Sequence, residues 1–483
     1  MADSIWTDFA TAQAREDGYL LATTISPSPP PSDPARLYNY LRWTNPGSVQ
    51  TDLRYKLQYN PDLHLDKKES STWLEVFTAY YHFTARLLAA EEAQNAPQRA
   101  RDAEWNGVYE SWKEVLNAVY RGYTSDVFDA WTIPCLYVVA KYMRIFAIKA
   151  DESATAAAQR DSGMAFGLQD EDTFNSSNNK NEKLEDAARH INRIFALCLG
   201  DRSPLEDSRK WALYYIANLL FKTYFRLNSV ALSKNILRSL SAQAAGELPP
   251  LSRFPKAHQV TFKYYSGVIA FLSEDYAAAE EHLESAYNMC LHPSNDSAAQ
   301  TATATATTRN RDLILTYLIP TKLLTSHRLP TRSLLSQSPH LTTLFAPITQ
   351  AIKHADLRAF TAALESSEDE FVKRRIYLTL ERGRDILLRN LFRKTFVAGG
   401  FEPAAAKEGE APARRTRVPV REFAAALQMR GAEVGDGEGG VDGDEVECLV
   451  ANGIYKNFMK GYIARDRGIV VLSKAGAFPG TGV

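Results

Sequence analysis

Cysteine is scarce in this chain. Cys135, Cys198, Cys290 and Cys448 are the four in 483 residues, and no two are close enough for a zinc knuckle or a CxxC redox pair. A disulfide scaffold is not expected at this length, and most of the thiols are expected in apolar packing in a reducing compartment. The nine histidines show no paired ligand spacing. Net charge is nearly absent: the formal value is −1, so the whole chain is no polyanion binder and any basic surface must be local. No run approaches about 18 uninterrupted apolar residues, and the opening "MADSIWTDFATAQARED" has no apolar h-region. Neither a membrane span nor a signal peptide is expected. GxxxxGK, HExxH, GxSxG and GxGxxG are all missing. The glycine cluster "GDGEGGVDGD" is acidic, the wrong sign for cradling phosphate. Glu274, Asp275, Glu280 and Glu281 near His282 read as a solvated helix face. No catalytic residue, cofactor or metal is expected.

Apolar residues make up 45% and charged residues 23%, which permits a sizeable core. The length suits roughly two to four domains or one long helical array. A proline-rich break, "ISPSPPPSDP" at 25–34, reads as a stiff connector, with a PxxP ligand as the minor alternative. Helical patterning follows in "DPARLYNYLRWT" and in "STWLEVFTAYYHFTARLLAAEEA". In the second, Ser71 or Thr72 can cap, and Trp73, Phe77, Tyr80, Tyr81 and Leu88 recur at helical spacing. "GVYESWKEVLNAVYRGY" and "IPCLYVVAKYMRIFAIKA" continue the pattern. Residues 151–180 are polar and read as a loop. Helices return at "LEDAARHINRIFALCLG" and "KWALYYIANLLFKTYFRL".

One repeat signal stands out. Gly267 and Ala279 in "KYYSGVIAFLSEDYAAAEEHLESAYNMC" are followed by Leu283 and Ala286, matching the small and apolar positions of a tetratricopeptide-type hairpin. Glu274-Asp275 would make the turn. "LLFKTYFRLNSVALSKNILRSLSAQ" reads as another hairpin, turning at Leu227-Asn228-Ser229. Such pairs bury their apolar faces only by stacking on neighbours. Residues 294–310 are low-complexity and read as a flexible excursion. "VKRRIYLTLERGRDILLRNLFRKTFV" reads as one long helix with Ile376, Leu380, Leu387 and Leu391 on a buried stripe. Lys373-Arg374-Arg375 at its start read as a solvated turn, and "ARRTR" as a better import or RNA-contact candidate.

After a Gly/Pro/Ala-rich break at 398–417, "VPVREFAAAL" reads as a short helix with Pro419 near its first turn. An acidic glycine-rich insert at 431–443 precedes "DEVECLVANGIYKNFMKGYIAR", read as one long helix with Val446, Leu449, Val450, Ile454, Phe458, Met459, Tyr462 and Ile463 on its core face. Asn452, Lys456 and Lys460 would form a solvent column. The turn at Asp466-Arg467-Gly468 then leads to a strand, Ile469-Val470-Val471-Leu472. Helix, helix, longer helix and small hairpin is the order of a winged helix. The fold class expected is all-α: a right-handed solenoid of tetratricopeptide-like hairpins capped by a C-terminal winged helix with a small β-sheet. The expected divisions are helical repeats at 1–210, a repeat subdomain at 211–397, a winged helix at 398–474 and a tail at 475–483.

These blocks resemble the PCI family, and most closely its COP9 signalosome subunit twelve-like branch, also called PCI-domain-containing protein two. The resemblance runs through "LLFKTYFRLNSVALSKNILRSL", "HQVTFKYYSGVIAFLSEDYAAAEEHLESAYNMC", "ILTYLIPTKLL", "YLTLERGRDILLRNLFRK" and "ECLVANGIYKNFMKGYIARDRGIVVLSK", nearly the whole chain. The N-terminal "DGYLLATTISPSPPPSDPARLYNYLRWTN" looks like fungal members. The resemblance implies a non-enzymatic scaffold of nuclear mRNA metabolism. Its implied partners are a SAC3/GANP-domain PCI protein and a small acidic disordered subunit shared with the proteasome lid, in a hetero-oligomer. The implied location is the nucleus, with the cytoplasm as a second site.

Candidate nucleic-acid contacts are Arg393, Lys394, Arg414, Arg415, Arg417, Lys456, Lys460, Arg465 and Arg467, with Arg421 and Lys474 beside them. Such cations would bind RNA or DNA through phosphates, without sequence preference and with strong salt dependence. Candidate partner contacts are Ile469, Val471 and Phe478 on the winged helix. Lys222, Arg226, Lys234 and Arg238 on one hairpin would meet the acidic subunit. Two rivals stay open at this stage. One is a pure protein-interaction subunit of a COP9- or lid-like assembly without nucleic-acid contact. The other is a tetratricopeptide co-chaperone, which would need a carboxylate clamp across several good repeats where one is visible.

Overall fold

The computed structural model describes residues 4–59, 63–95, 104–164, 181–244, 246–290, 301–402, 414–431 and 442–482. The chain divides into two compact units, Met1–Tyr265 and Ser266–Val483. The sequence boundary placed at 210/211 falls instead inside continuous packing, where Glu182–Leu199 lies against Leu213–Arg226.

The first unit is built from helices packed on their sequence neighbours. Lys67–Asn95, Trp105–Thr124, Ile133–Met164, Glu182–Leu199 and Leu213–Arg226 follow one another, each contacting the next. Aromatic side chains fill the space between them. Trp73, Phe77, Tyr80, Phe83 and Trp112 are all buried. The Phe83 and Trp112 ring centroids lie 4.6 Å apart, and Trp112 Nε1 donates to Val139 O at 3.0 Å. A buried indole N–H thus keeps a partner, as desolvation requires. Ser71 and Thr72 lie inside the Lys67–Asn95 helix rather than capping it.

The supposed loop at 151–180 is partly helix, since Ile133–Met164 runs through its first residues; 165–180 lie outside the described residues. The Ala130–Ala158 stretch is long and apolar enough by composition to cross a membrane, but 56% of its most apolar window is buried inside the fold, as in a core helix. Buried Asp151 accepts from the backbone N–H groups of Lys183 (3.0 Å) and Leu184 (2.9 Å), satisfying orphan donors at the start of the next helix.

An ionic cluster ties Trp105–Thr124 to Glu182–Leu199. Lys113 Nζ reaches Asp186 at 2.9 Å, Tyr109 Oη donates to Asp186 at 2.8 Å, and Lys183 Nζ reaches Glu110 at 2.8 Å. Burial alone would raise the Asp186 pKa. The hydrogen bonds from Lys113 and Tyr109 and the Lys113 charge outweigh it and bring the carboxyl down to about 2. A depressed folded pKa gives stability that is complete above the unfolded value, near pH 4, and is lost as pH falls through about 2. Asp186→Asn is therefore expected to remove roughly 2 kcal/mol at pH 7 and to flatten the loss of stability between pH 4 and 2. All seven tryptophans lie in this unit, so tryptophan fluorescence during urea denaturation reports it directly. An acid profile identical to wild type would rule the assignment out.

The second unit opens inside the Lys256–Leu272 helix, which turns at Ser273–Asp275 into Tyr276–Met289. Glu274 adopts φ +61°, and Asp275 caps the second helix by accepting from Ala278 N. Gly267, Ala279, Leu283 and Ala286 are all buried at the crossing. A Cβ on Gly267 would stand 2.6 Å from Leu283 Cγ, so the glycine permits the close approach. This is the hairpin read from sequence; its relative in the first unit, Leu213–Arg226 with Val230–Ser241, turns at Asn228, φ +56°.

Two expected features differ here. Of the excursion at 294–310, residues 301–310 belong to the Thr301–Thr325 helix, and 294–300 lie outside the described residues. The long helix expected from Val372 to Val397 is three: Glu368–Lys373, Tyr377–Glu381 and Gly383–Ala398. Arg375 in the left-handed region, φ +59°, stops the first. The apolar stripe survives the break, with Ile376, Leu380, Leu387 and Leu391 all buried. The chain then makes a three-stranded sheet and two helices, Val420–Met429 and Gly443–Tyr455.

Candidate nucleic-acid interface

The sheet is made of β1 (Arg417–Pro419), β2 (Gly461–Ala464) and β3 (Ile469–Leu472), in the order β1-β3-β2 and antiparallel throughout. β2 corrects the sequence reading, which ran a helix to Arg465. The helix stops at Tyr455 because Asn457 turns left-handed at φ +58°, and Phe458 N and Asn457 N bond back to Gly453 O (2.9 Å) and Ile454 O (3.0 Å). That is a Schellman stop with asparagine in place of glycine. Lys456 therefore caps the helix, and Lys460 lies beyond it, so no column of Asn452, Lys456 and Lys460 exists. At Gly461 a Cβ would fall 2.3 Å from Val471 O, which reserves that strand position for glycine.

The register sorts the side chains. Val418, Val470 and Leu472 are buried on the inner face, which takes its neighbours from the helices. The outer face carries the alternate residues. Arg417 pairs with Val471 and Val471 with Tyr462; Pro419 pairs with Ile469 and Ile469 with Ala464. Ile469 and Val471 are half-exposed there, and Tyr462 is 63% exposed. Sequence reasoning had placed Tyr462 in a helix core. The signal it overlooked was a hairpin: two alternating segments around Arg465–Gly468, with Gly468 at φ +59°.

Phe478 is corrected more sharply. It is fully buried, its ring 5.7 Å from that of Phe396, and Lys460 N donates to the neighbouring Ala477 O at 2.8 Å. It completes the core of this unit and offers no surface to a partner. The expected tail at 475–483 is, through residue 482, part of the packed module.

The nine cations separate into three groups. Three are held in ion pairs: Arg415 with Glu422 at 2.7 Å, Lys456 with Asp385 at 2.6 Å, and Arg465 with Asp444 at 2.8 Å. Three are tied otherwise: Arg393 donates to Thr481 O (3.4 Å), Lys394 to Lys353 O (2.8 Å), and Arg414 lies 4.9 Å from the Phe401 ring centroid. Desolvation, then the Arg430 charge, holds the Lys394 pKa below its usual value. Arg417, Lys460 and Arg467 are exposed with no side-chain ion pair among the described residues, as are Arg421 and Lys474. The acidic insert at 432–441 lies outside the described residues, but Asp444 beside it already occupies Arg465.

In the first unit, Lys222 and Arg226 lie on Leu213–Arg226, and Lys234 and Arg238 on Val230–Ser241. Arg226 is taken by Glu152 at 2.7 Å. Arg144 donates to Lys222 O at 3.4 Å, and desolvation followed by that guanidinium lowers the Lys222 pKa. Lys234 and Arg238 have no ion pair among the described residues. Among those residues, too, no group of three or more His, Cys, Asp or Glu side chains is placed to hold a metal ion.

Residues 356–474 match the PCI domain. Over its full length, and the full length of the relative, the chain is 51% identical to a protein named Protein CSN12 homolog of Neurospora crassa. It is 34% identical to a Schizosaccharomyces pombe protein of the same name, covering 97% of this chain and 95% of the other. A PCI domain-containing protein 2 of Xenopus laevis is 30% identical over 76% of this chain and 77% of its own.

Proposed function

Because the chain belongs to the PCI-domain family, in the branch of the CSN12 homologs and PCI domain-containing protein 2, we propose that it is a non-enzymatic scaffold subunit of a nuclear mRNA-processing complex. It pairs through its winged helix with a SAC3/GANP-domain PCI protein and carries the small acidic subunit of that assembly. It also adds a basic surface for RNA. The observation that carries the reading is the C-terminal sheet. It sets β1 and β2 at the two edges of one small sheet, and Arg417, Lys460 and Arg467 are exposed around it with no side-chain ion pair among the described residues. The acidic subunit would meet Lys234 and Arg238 on the first unit's hairpin, which have no ion pair among the described residues.

The test is recovery of tagged full-length protein from nuclear extract, with partners identified by mass spectrometry and RNA affinity measured across a salt series. A SAC3/GANP-domain partner and an acidic subunit are expected, with affinity falling steeply with salt. Joint reversal of Arg417, Lys460 and Arg467 to glutamate should lower the salt slope by about 3, roughly one per phosphate contact, while Arg465→Glu should change it little. Recovery of signalosome or lid subunits with no RNA affinity would replace this reading with a pure docking subunit.

A further inference from the structure

The outer face of the sheet has a composition that a purely apolar docking site would not need. One cross-strand row reads Arg417, Val471, Tyr462, with two cationic or aromatic side chains on either side of a small apolar centre. Strand spacing sets Arg417 and Tyr462 roughly 10 Å apart on that row. Alternation carries Lys460 to the same face as Tyr462, next along the strand; its carbonyl accepts from Ser473 N at 2.8 Å, continuing the ladder. The local sequence is one-sided in charge. Residues 414–421 hold four cations and no acid, and residues 456–474 hold five cations and one acid, Asp466. The tyrosine is the exposed aromatic of the face, at 63%, and no hydrogen bond to its hydroxyl occurs among the described residues.

We propose that this face is a stacking platform for single-stranded RNA. A base lies on the Tyr462 ring and against Val471, and Arg417 and Lys460 take the phosphates on either side. Aromatic rings on a basic surface bind single strands because every base offers a π-face, whereas a duplex keeps its bases stacked inside. The assignment moves Ile469 and Val471 from the partner contact to the floor of this platform. It rests on the RNA-binding half of the proposed function and is independent of which protein partner is used.

The experiment uses the full-length chain and fluorescence anisotropy with a labelled oligouridine and with an RNA duplex of equal length. Tyr462→Ala should weaken oligouridine binding by about 5- to 100-fold and leave duplex binding within about twofold. Tyr462→Phe, which keeps the ring, should restore single-strand affinity. Arg417→Ala should weaken both probes and lower the salt slope by about 1. Unchanged oligouridine affinity in Tyr462→Ala would overturn the platform. So would loss of the SAC3/GANP partner with RNA affinity intact, which would make the face a protein contact. Wild-type chain that binds neither probe at low salt would instead remove RNA from the proposed function altogether. The exposure of Tyr462 makes the variants safe for folding, which circular dichroism checks.

Discussion

Replacing Phe478 with alanine should destabilise the second unit by about 3–5 kcal/mol, the cost of emptying a fully buried aromatic site. The ring meets Phe396 on the Gly383–Ala398 helix, and the adjoining Ala477 carbonyl anchors Lys460 just ahead of β2. Loss of the ring therefore loosens the sheet as well as the helix. The second unit has no tryptophan, so hydrogen exchange of β2 and β3 amides is the suitable readout. A loss below about 1 kcal/mol would mean that Phe478 is dispensable to the core. Partner and RNA binding should fall together in this variant, unlike the selective loss expected for Tyr462→Ala.

The second large effect is expected at Arg36. Its side chain is 5% exposed and held by Asp8 at 2.5 Å and Asp33 at 3.6 Å. Asp33 also accepts from Ser4 Oγ at 2.7 Å, while Tyr80 Oη donates to Ser26 O at 2.8 Å. The proline-rich connector is thus pinned at both ends to the helices around it, and Pro27 is buried. Arg36→Ala should cost about 3 kcal/mol, the lower end for a broken buried pair, because Asp8 and Asp33 keep some contact with water. Arg36→Lys should rescue little, since a point charge cannot serve two carboxylates in a guanidinium's plane. Urea denaturation followed by tryptophan fluorescence decides it; full rescue by lysine would show that charge alone suffices.

What could be read from the sequence was what repeats. Trp73, Phe77, Tyr80, Tyr81 and Leu88 recur at helical spacing and are all buried, because burying one face of a helix imposes that period. Ile376, Leu380, Leu387 and Leu391 were found for the same reason, although their helix is interrupted. The interruptions themselves were not legible. Arg375 and Asn457 end helices by entering the left-handed region, and neither is the glycine that usually announces it. β2 was hidden because Tyr462, Ile463 and Ala464 extend an apolar helical pattern by three more residues. Phe478 was misassigned because a single aromatic in a short segment has no period to report its face.

The candidate site was legible as charge but not as availability. Lysine and arginine can be counted in a sequence; their counter-charges cannot. Lys456 meets Asp385 from 71 positions away, and Arg465 meets Asp444 from 21. The pairs emerge only when the helices and sheet bring distant segments together. That selection leaves Arg417, Lys460 and Arg467 as the members of the original nine with no side-chain ion pair, carbonyl contact or ring contact among the described residues.

The strand order has a consequence for the chain as it is made. β3 is the last of the three strands to be synthesised, yet it stands in the middle, and among the described residues neither β1 nor β2 pairs with any other strand. While the ribosome is still working toward Ile469, β1 and β2 are unmatched segments and the outer face does not exist. A prematurely stopped chain presents no such surface. The order of three short strands thus makes the face all-or-none, because a chain that stops before Leu472 lacks the strand to which both others bond.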